Sequence, residues 1–62
     1  MMRYYTIEDI AYMLEKTEIE IEKMIQDGRL KYDYKNIDGN KLVSEYNLER
    51  YLELKRRYTG KY

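Results

Sequence analysis

Apolar residues recur three and four positions apart in two short segments near the start of the chain, as they do along one face of a helix. They are Ile7, Ile10, Ala11 and Leu14, followed by Ile21, Met24 and Ile25. Each segment opens on a threonine with a carboxylate three positions on, Thr6 with Asp9 and Thr17 with Glu20, which is typical of a capping box. Gly28 follows and readily adopts the left-handed conformation that ends helices. We therefore predict helices over about residues 6–15 and 17–27, joined as a helix-turn-helix.

The pattern changes to strict alternation after Gly28. Leu30, Tyr32 and Tyr34 fall on one side of a predicted strand, and Lys31, Asp33 and Lys35 fall on the other. Turn residues follow, including the pair Asp38-Gly39, and the segment 41–43 returns as a second strand. The sequence therefore predicts a β-hairpin over about residues 30–43, with the two tyrosine rings covering the core rather than stacking on a ligand.

A third helix is predicted from Ser44, as its N-cap, to about residue 58. Leu48, Tyr51, Leu52 and Lys55 form its inward stripe, with the lysine reaching out to water. The predicted fold is mainly α with a small β-hairpin, in the order helix, turn, helix, hairpin, helix. Its expected core consists of Ile10, Leu14, Ile21, Ile25, Leu30, Leu48 and Leu52.

The chain has nine tyrosines among its 62 residues, which is many for one small domain. Tyr12, Tyr46 and Tyr51 occupy helix positions where we expect the ring to pack and the hydroxyl to stay in water. Tyr4, Tyr58 and Tyr62 lie near the ends, where they are expected to form a patch for a partner.

Composition narrows the class of protein. A chain of 62 residues forms one domain, residues 1–62, near the lower size limit for a single core. It contains no cysteine for a disulfide, no apolar stretch of roughly 18 residues for a membrane span, and no signal-peptide pattern at its start. We expect a cytoplasmic protein.

Enzyme chemistry is not expected. The chain has neither histidine nor cysteine, and Ser44 is better explained as a helix cap than as a nucleophile. The glycines are isolated, so they form no phosphate-binding loop, and the carboxylates lack the spacing of a metal loop. We therefore predict no catalytic residue, no metal, no cofactor and no small-molecule substrate.

The formal net charge is zero, but it is unevenly distributed. Residues 1–27 carry three basic and seven acidic side chains, a balance of −4, whereas residues 28–62 carry nine basic and five acidic ones, a balance of +4. Any contact with phosphate should therefore depend on the second half of the chain.

The caps, core positions and turn residues from Tyr5 to Leu52 follow one another without a gap. They are Thr6, Ile10, Ala11, Leu14, Thr17, Ile21, Ile25, Gly28, Leu30, Ser44, Leu48, Tyr51 and Leu52. Their order and spacing resemble the excisionase and MerR-like winged helix-turn-helix family. The resemblance implies a winged helix-turn-helix fold, with the hairpin as the wing, and binding of double-stranded DNA.

By this resemblance, the second helix enters the major groove and the wing lies on the backbone or in the minor groove. The second helix would present Glu18, Ile19, Glu20, Glu22, Lys23 and Gln26. The wing and third helix would present Lys31, Lys35, Asn36, Asn40, Lys41, Arg56 and Arg57. The implied role is architectural or regulatory, in recombination, phage gene control or packaging, by a monomer or weak homodimer.

The chain departs from the family pattern in two places. Glu18, Glu20 and Glu22 stand where basic or hydroxyl side chains are usual, and three carboxylates repel a phosphate backbone. In the turn, Glu15 stands where glycine is common and Lys16 where an apolar residue usually plugs the core. A left-handed Glu15 would cost about 1–2 kcal/mol, which favours a turn of another shape.

The acidic second helix supports an alternative function. Glu18 and Glu22 form an uncompensated like-charge pair four positions apart, which is mildly destabilising. Tolerance of that repulsion suggests contact with something basic. The alternative is a winged helix that has lost DNA binding and uses this helix to bind a basic protein partner.

Overall fold

The computed structural model describes the backbone of residues 2–59 and, within it, the side chains up to residue 56. Over these residues three helices and three strands follow one another, beginning with a strand. They are β1 (Tyr4–Thr6), α1 (Ile7–Leu14), α2 (Glu18–Gln26), β2 (Tyr34–Lys35), β3 (Lys41–Ser44) and α3 (Glu45–Thr59). The predicted succession of helix, helix, hairpin and helix is confirmed, and β1 is a strand that the sequence pattern did not indicate.

Both predicted capping boxes are present at the starts of α1 and α2. Thr6 Oγ1 accepts from the Asp9 N–H at 3.0 Å, and the Asp9 carboxylate accepts from the Thr6 N–H at 3.1 Å. Thr17 and Glu20 repeat the arrangement, at 3.1 Å and 2.8 Å. Gly28, with φ 83°, takes the predicted left-handed conformation after the end of α2.

The turn between α1 and α2 keeps the left-handed shape that its sequence disfavours. Glu15 lies at φ 57° and ψ 46°, so the expectation of a turn of another shape is wrong. The reason is hydrogen bonding at the end of α1. The Lys16 N–H donates to the Ala11 C=O at 2.9 Å, and the Glu15 N–H donates to the Tyr12 C=O at 3.3 Å. These bonds satisfy carbonyl groups that would otherwise end the helix unpaired.

The strands form an antiparallel sheet in the order β1-β3-β2. Tyr4 pairs with Ser44, Tyr5 with Val43 and Thr6 with Leu42, while β2 pairs with the start of β3. The described fold is therefore mixed α/β, rather than mainly α with only a hairpin. The first hairpin strand is also shorter than predicted, because Tyr34–Lys35 alone is paired as strand and residues 30–33 are not.

The loop of the hairpin is held by the side chain of Asn36. Its Oδ1 accepts from the N–H groups of Asp38 at 3.0 Å and Asn40 at 2.9 Å. The Gly39 N–H donates to the Asn36 C=O at 2.9 Å, and Gly39 itself lies at φ 84°, which glycine adopts without strain.

The core lies where α1 packs against α2 and β1, and where α3 packs against β3. Its buried residues are Ile7, Ile10, Ala11, Ile21, Met24, Leu30, Val43, Leu48 and Tyr51. Four predicted core residues, Ile10, Ile21, Leu30 and Leu48, are buried as expected. Leu14, Ile25 and Leu52 pack against the cluster but are only partly buried, since they lie at its border. Val43, which was not among the predicted core residues, is fully buried because it lies on the middle strand of the sheet.

Several tyrosines do not pack as predicted. Tyr12 and Tyr46 are 87% and 57% exposed, so their expected ring packing is wrong, whereas Tyr51 is buried. Tyr32, in the segment before β2, and Tyr34, on β2, are exposed too, so the prediction that their rings cover the core is also wrong. The Tyr34 ring instead meets the Tyr4 ring edge-on, with centroids 5.3 Å apart.

The hairpin is joined to the start of α3 by one carboxylate. Asp33 Oδ1 accepts from the Ser44 N–H at 2.6 Å and from the Asn47 side-chain amide at 3.0 Å. Ser44 Oγ accepts from the Asn47 N–H at 3.1 Å, which confirms Ser44 as the N-cap. Desolvation opposes ionisation of Asp33, but the hydrogen bonds from Ser44 and Asn47 outweigh it and lower the pKa of the carboxyl below its usual value.

In the stretch from residue 2 to residue 59, no helix is both long enough and apolar enough to cross a membrane.

Candidate nucleic-acid interface

An ion pair bridges the second helix and the hairpin across a cleft. Lys41 Nζ, on β3, lies 2.9 Å from Glu22 Oε1, on α2. A cleft of about 280 Å³ separates the two elements beside this bridge. Its charged walls are Glu18 and Glu22 from α2, Glu8 from α1, and Lys35 and Lys41 from the hairpin. The arrangement places the predicted reading helix and the predicted wing on one surface.

The α2 side chains predicted to contact DNA are all exposed, but they are not equally available. Glu18 and Glu22 line the cleft. Glu20 is held by Thr17, whose backbone N–H and hydroxyl donate to the carboxylate at 2.8 Å and 3.2 Å. The backbone hydrogen bond is the larger cause, ahead of the hydroxyl, that lowers the pKa of Glu20. Glu20 therefore serves the helix cap in this structure.

The rest of α2 offers one aliphatic and two polar side chains to solvent. Ile19 is 69% exposed, and Lys23 and Gln26 are exposed on later turns of the helix. Lys23 and Gln26 are the two residues of this helix whose chemistry suits phosphate oxygens and base edges. The exposed Ile19 suits a methyl group or an apolar partner.

The hairpin residues of the predicted site fall into two groups. Lys31 and Lys35 are exposed and form no ion pair with any described side chain. Lys41 is instead engaged, because besides its bridge to Glu22 its Nζ lies 5.7 Å from the centre of the Tyr32 ring. Asn40 lines the cleft, whereas the Asn36 side chain is occupied in bracing the loop.

The third-helix part of the predicted site is only partly described. Arg56 is exposed near the end of α3. The side chain of Arg57 lies outside the described residues, as do those of Tyr58 and Tyr62 from the predicted end patch.

The bridge corrects one interpretation of the acidic helix. The pair Glu18 and Glu22 is not uncompensated, because Lys41 neutralises Glu22 from outside the helix. The sequence pattern suggested that a partner supplies a basic group to this helix. Part of that charge comes instead from Lys41 of the same chain. Sequence reasoning missed this contact because it joins residues far apart in the chain. The one available signal was the acidic excess of the first half and the basic excess of the second.

Comparison of the chain with protein-family models, curated proteins and solved structures finds no match. Any function must therefore be argued from the residues and their geometry.

Proposed function

We propose that the chain is a winged helix-turn-helix protein that binds double-stranded DNA. The observation that carries the proposal is the placement of α2 beside the β2–β3 hairpin, joined by the 2.9 Å bridge between Lys41 and Glu22. A helix that follows a tight turn, flanked by a braced hairpin, suits a duplex because the helix fits the major groove while the hairpin reaches the adjoining backbone.

The distribution of charge predicts how such a complex would be held. Lys31 and Lys35 on the hairpin side and Lys23 on α2 are exposed cations that can contact phosphates. Gln26 and Asn40 carry amide groups that can bond to base edges. Glu18 and Glu22 repel the backbone and lower affinity for all sequences. We infer weak, strongly salt-dependent binding to a single site, with useful affinity reached on repeated sites.

The biological role within this proposal follows the family resemblance. An architectural or regulatory task in recombination, phage gene control or packaging suits a small DNA-binding domain without a catalytic group. This role rests on the proposed DNA binding.

Fluorescence anisotropy with labelled AT-rich and GC-rich duplexes, over a range of salt concentrations, tests the proposal. The expected result is affinity that falls steeply with salt. Replacing Lys31 and Lys35 together with alanine should weaken binding to every duplex and reduce the salt slope by about 1 per lost contact. Arg50→Ala, at an exposed cation beside Tyr46 on α3, is the matched control and should change little. A wild-type chain without salt-dependent affinity for any duplex would refute the proposal.

A second candidate function has its own supporting observation. Ile19 is highly exposed and lies between carboxylates on the outer side of α2. An aliphatic anchor with an acidic rim suits a basic, partly apolar protein surface. In that case Glu18→Gln should slow association with the protein partner in a salt-dependent way and leave DNA affinity unchanged.

A further inference from the structure

The first strand of the sheet has an open edge. Over residues 2–59, β1 pairs with β3 on one side only, since the sheet order is β1-β3-β2. The Glu45 N–H donates to the Arg3 C=O at 2.8 Å, so Arg3 faces the neighbouring strand. Because antiparallel residues alternate in direction, Tyr5 also faces β3 and the backbone N–H and C=O of Tyr4 face outward. An unpaired edge of this kind can accept another strand.

A shallow recess of about 560 Å³ runs beside that edge. It is lined by Tyr4, Tyr5, Glu8, Asp9, Tyr12 and Met13, and is called the edge recess below. Tyr4 and Tyr5 point to opposite faces of the strand, yet both line the recess, and no residue of β3 does. The recess therefore follows the open edge, with α1 as its far wall.

The edge recess contains several exposed apolar side chains. Tyr12 is 87% exposed and Met13 is 47% exposed, and both line the recess together with Tyr4 and Tyr5. Single exposed apolar side chains are ordinary, but several that share one recess mark a contact surface. Tyrosine and methionine are also enriched where proteins meet.

The charges of the edge recess indicate which kind of protein segment can bind there. Its charged lining residues, Glu8 and Asp9, are both acidic. Asp9 already accepts the Thr6 N–H at the cap of α1, so Glu8 is the main attraction for a lysine or arginine of the occupant. The tyrosine rings attract the same cations. A second copy paired edge to edge would bring its own Glu8 and Asp9 to the same place. Like charges disfavour that arrangement, so a basic partner fits better than a second copy.

We propose that the open edge of β1 and the edge recess bind an extended, basic segment of a partner protein as a fourth strand. Its backbone bonds to Tyr4, its apolar side chains enter the recess beside Tyr12 and Met13, and its cations lie near Glu8 and Asp9. Backbone pairing supplies affinity in this mode and alternate side chains supply specificity. Glu8 also lines the cleft between α2 and the hairpin, so the two surfaces adjoin, but this proposal does not depend on DNA binding.

The test uses the intact protein and a fluorescein-labelled synthetic peptide that alternates arginine with valine. We expect saturable binding by anisotropy, and slower hydrogen exchange of the Tyr4 amide in the complex. Tyr12→Ala should weaken binding about tenfold, the loss expected for an aromatic anchor. Its side chain is mostly exposed, so the variant should fold normally. Tyr46→Ala, an exposed tyrosine on α3, is the matched control and should bind as the wild type does.

Two modified peptides separate strand addition from simple charge attraction. Methylation of the central backbone nitrogens should abolish binding, and glutamate in place of arginine should also abolish it. Equal binding of the methylated peptide, or an unchanged affinity in Tyr12→Ala, would overturn the proposal. Sedimentation that shows a homodimer lost in Tyr12→Ala would overturn it too, since the occupant would then be a second copy.

Discussion

Three carboxylates hold the starts of the three helices, and two of them are local while the third is not. Asp9 and Glu20 accept the N–H groups of Thr6 and Thr17, three positions before them. Asp33 accepts the N–H of Ser44, the N-cap of α3, from the hairpin eleven positions earlier. Asn47 stands where the third capping-box carboxylate would be, and it donates its own amide to Asp33. Asp33 therefore completes the cap of α3 and fixes the hairpin to it.

Asp33→Asn should lower the free energy of unfolding by roughly 0.5–1.5 kcal/mol, because a charged acceptor is replaced by a neutral one. Folding lowers the pKa of Asp33, so the advantage of the wild type is complete above the ordinary aspartate pKa of about 3.9 and disappears as the pH falls through the lower folded value. Urea unfolding at a series of pH values measures the difference. Asp38→Asn, in the hairpin loop, is the control, and an equal loss there would contradict the assignment.

Glu15→Gly should stabilise the protein. Glycine at this position removes the strain of the left-handed backbone, which is about 1–2 kcal/mol for a residue with a side chain. It also loses more conformational entropy on folding, which costs about 0.5–1 kcal/mol. A net increase of about 0.5–1 kcal/mol in the free energy of unfolding is expected by difference. Glu15→Ala keeps the strain and removes the charge, so it should show no comparable gain in the same urea experiment.

At the scale of elements, α2 and the hairpin form one surface whose charge is set by their contact. Glu22 holds Lys41 at 2.9 Å, so the helix both repels a phosphate and occupies a lysine that could bind one. The pair is partly exposed, and such pairs contribute only about 0–1 kcal/mol to stability. Its larger effect should therefore be on binding.

Glu22→Gln should tighten non-specific DNA binding and steepen its salt dependence, because it removes one repulsion and releases Lys41. Anisotropy with several unrelated duplexes measures both quantities. Glu49→Gln, an exposed glutamate on α3, removes the same charge away from the bridge and is the matched control. Weaker binding confined to one duplex would mean instead that Glu22 accepts a hydrogen bond from a cytosine amino group.

The elements that could be predicted from the sequence are those whose signals are local. The start of each of the first two helices is marked by a capping box that spans four residues, Thr6 to Asp9 and Thr17 to Glu20. Strand β1 carries no such signal, since three residues cannot show a period and its partner strand, β3, lies far along the chain at Lys41–Ser44.

The candidate site divides in the same way. The exposure of Lys23, Lys31 and Gln26 follows from the pattern of apolar and polar positions. The engagement of Lys41 by Glu22 depends on how α2 meets the hairpin, which no local pattern records. The left-handed backbone of Glu15 likewise depends on the hydrogen bonds at the end of α1, which the local sequence pattern does not show.

At the scale of the molecule, the core is small and shared by every element except β2. Leu48 on α3 is buried in the same cluster as Val43 of β3 and the core residues of α1 and α2. A domain of 62 residues has a stability of roughly 3–9 kcal/mol at the usual 0.05–0.15 kcal/mol per residue. A single substitution that leaves a large cavity in the core can therefore remove most of the free energy of unfolding.

Leu48→Ala should cost about 2–5 kcal/mol and leave the chain partly or wholly unfolded at room temperature. Circular dichroism with urea titration measures the loss. Leu54→Ala, on the same helix at a leucine 44% exposed, should cost far less and keep the transition cooperative. A stable, unperturbed Leu48→Ala protein would show that α3 does not depend on this contact.

The pairing of Tyr4 with Ser44 determines when the folded molecule can first exist during synthesis. A ribosome makes the two capped helices early, but the strand that pairs with β1 and the residues that close the core, such as Val43 and Leu48, come much later. Helices as short as α1 and α2 are marginal alone in water. The nascent chain therefore has no stable fold until β3 and the first turns of α3 have emerged. A product that stops before β3 should be degraded rather than retain part of the function.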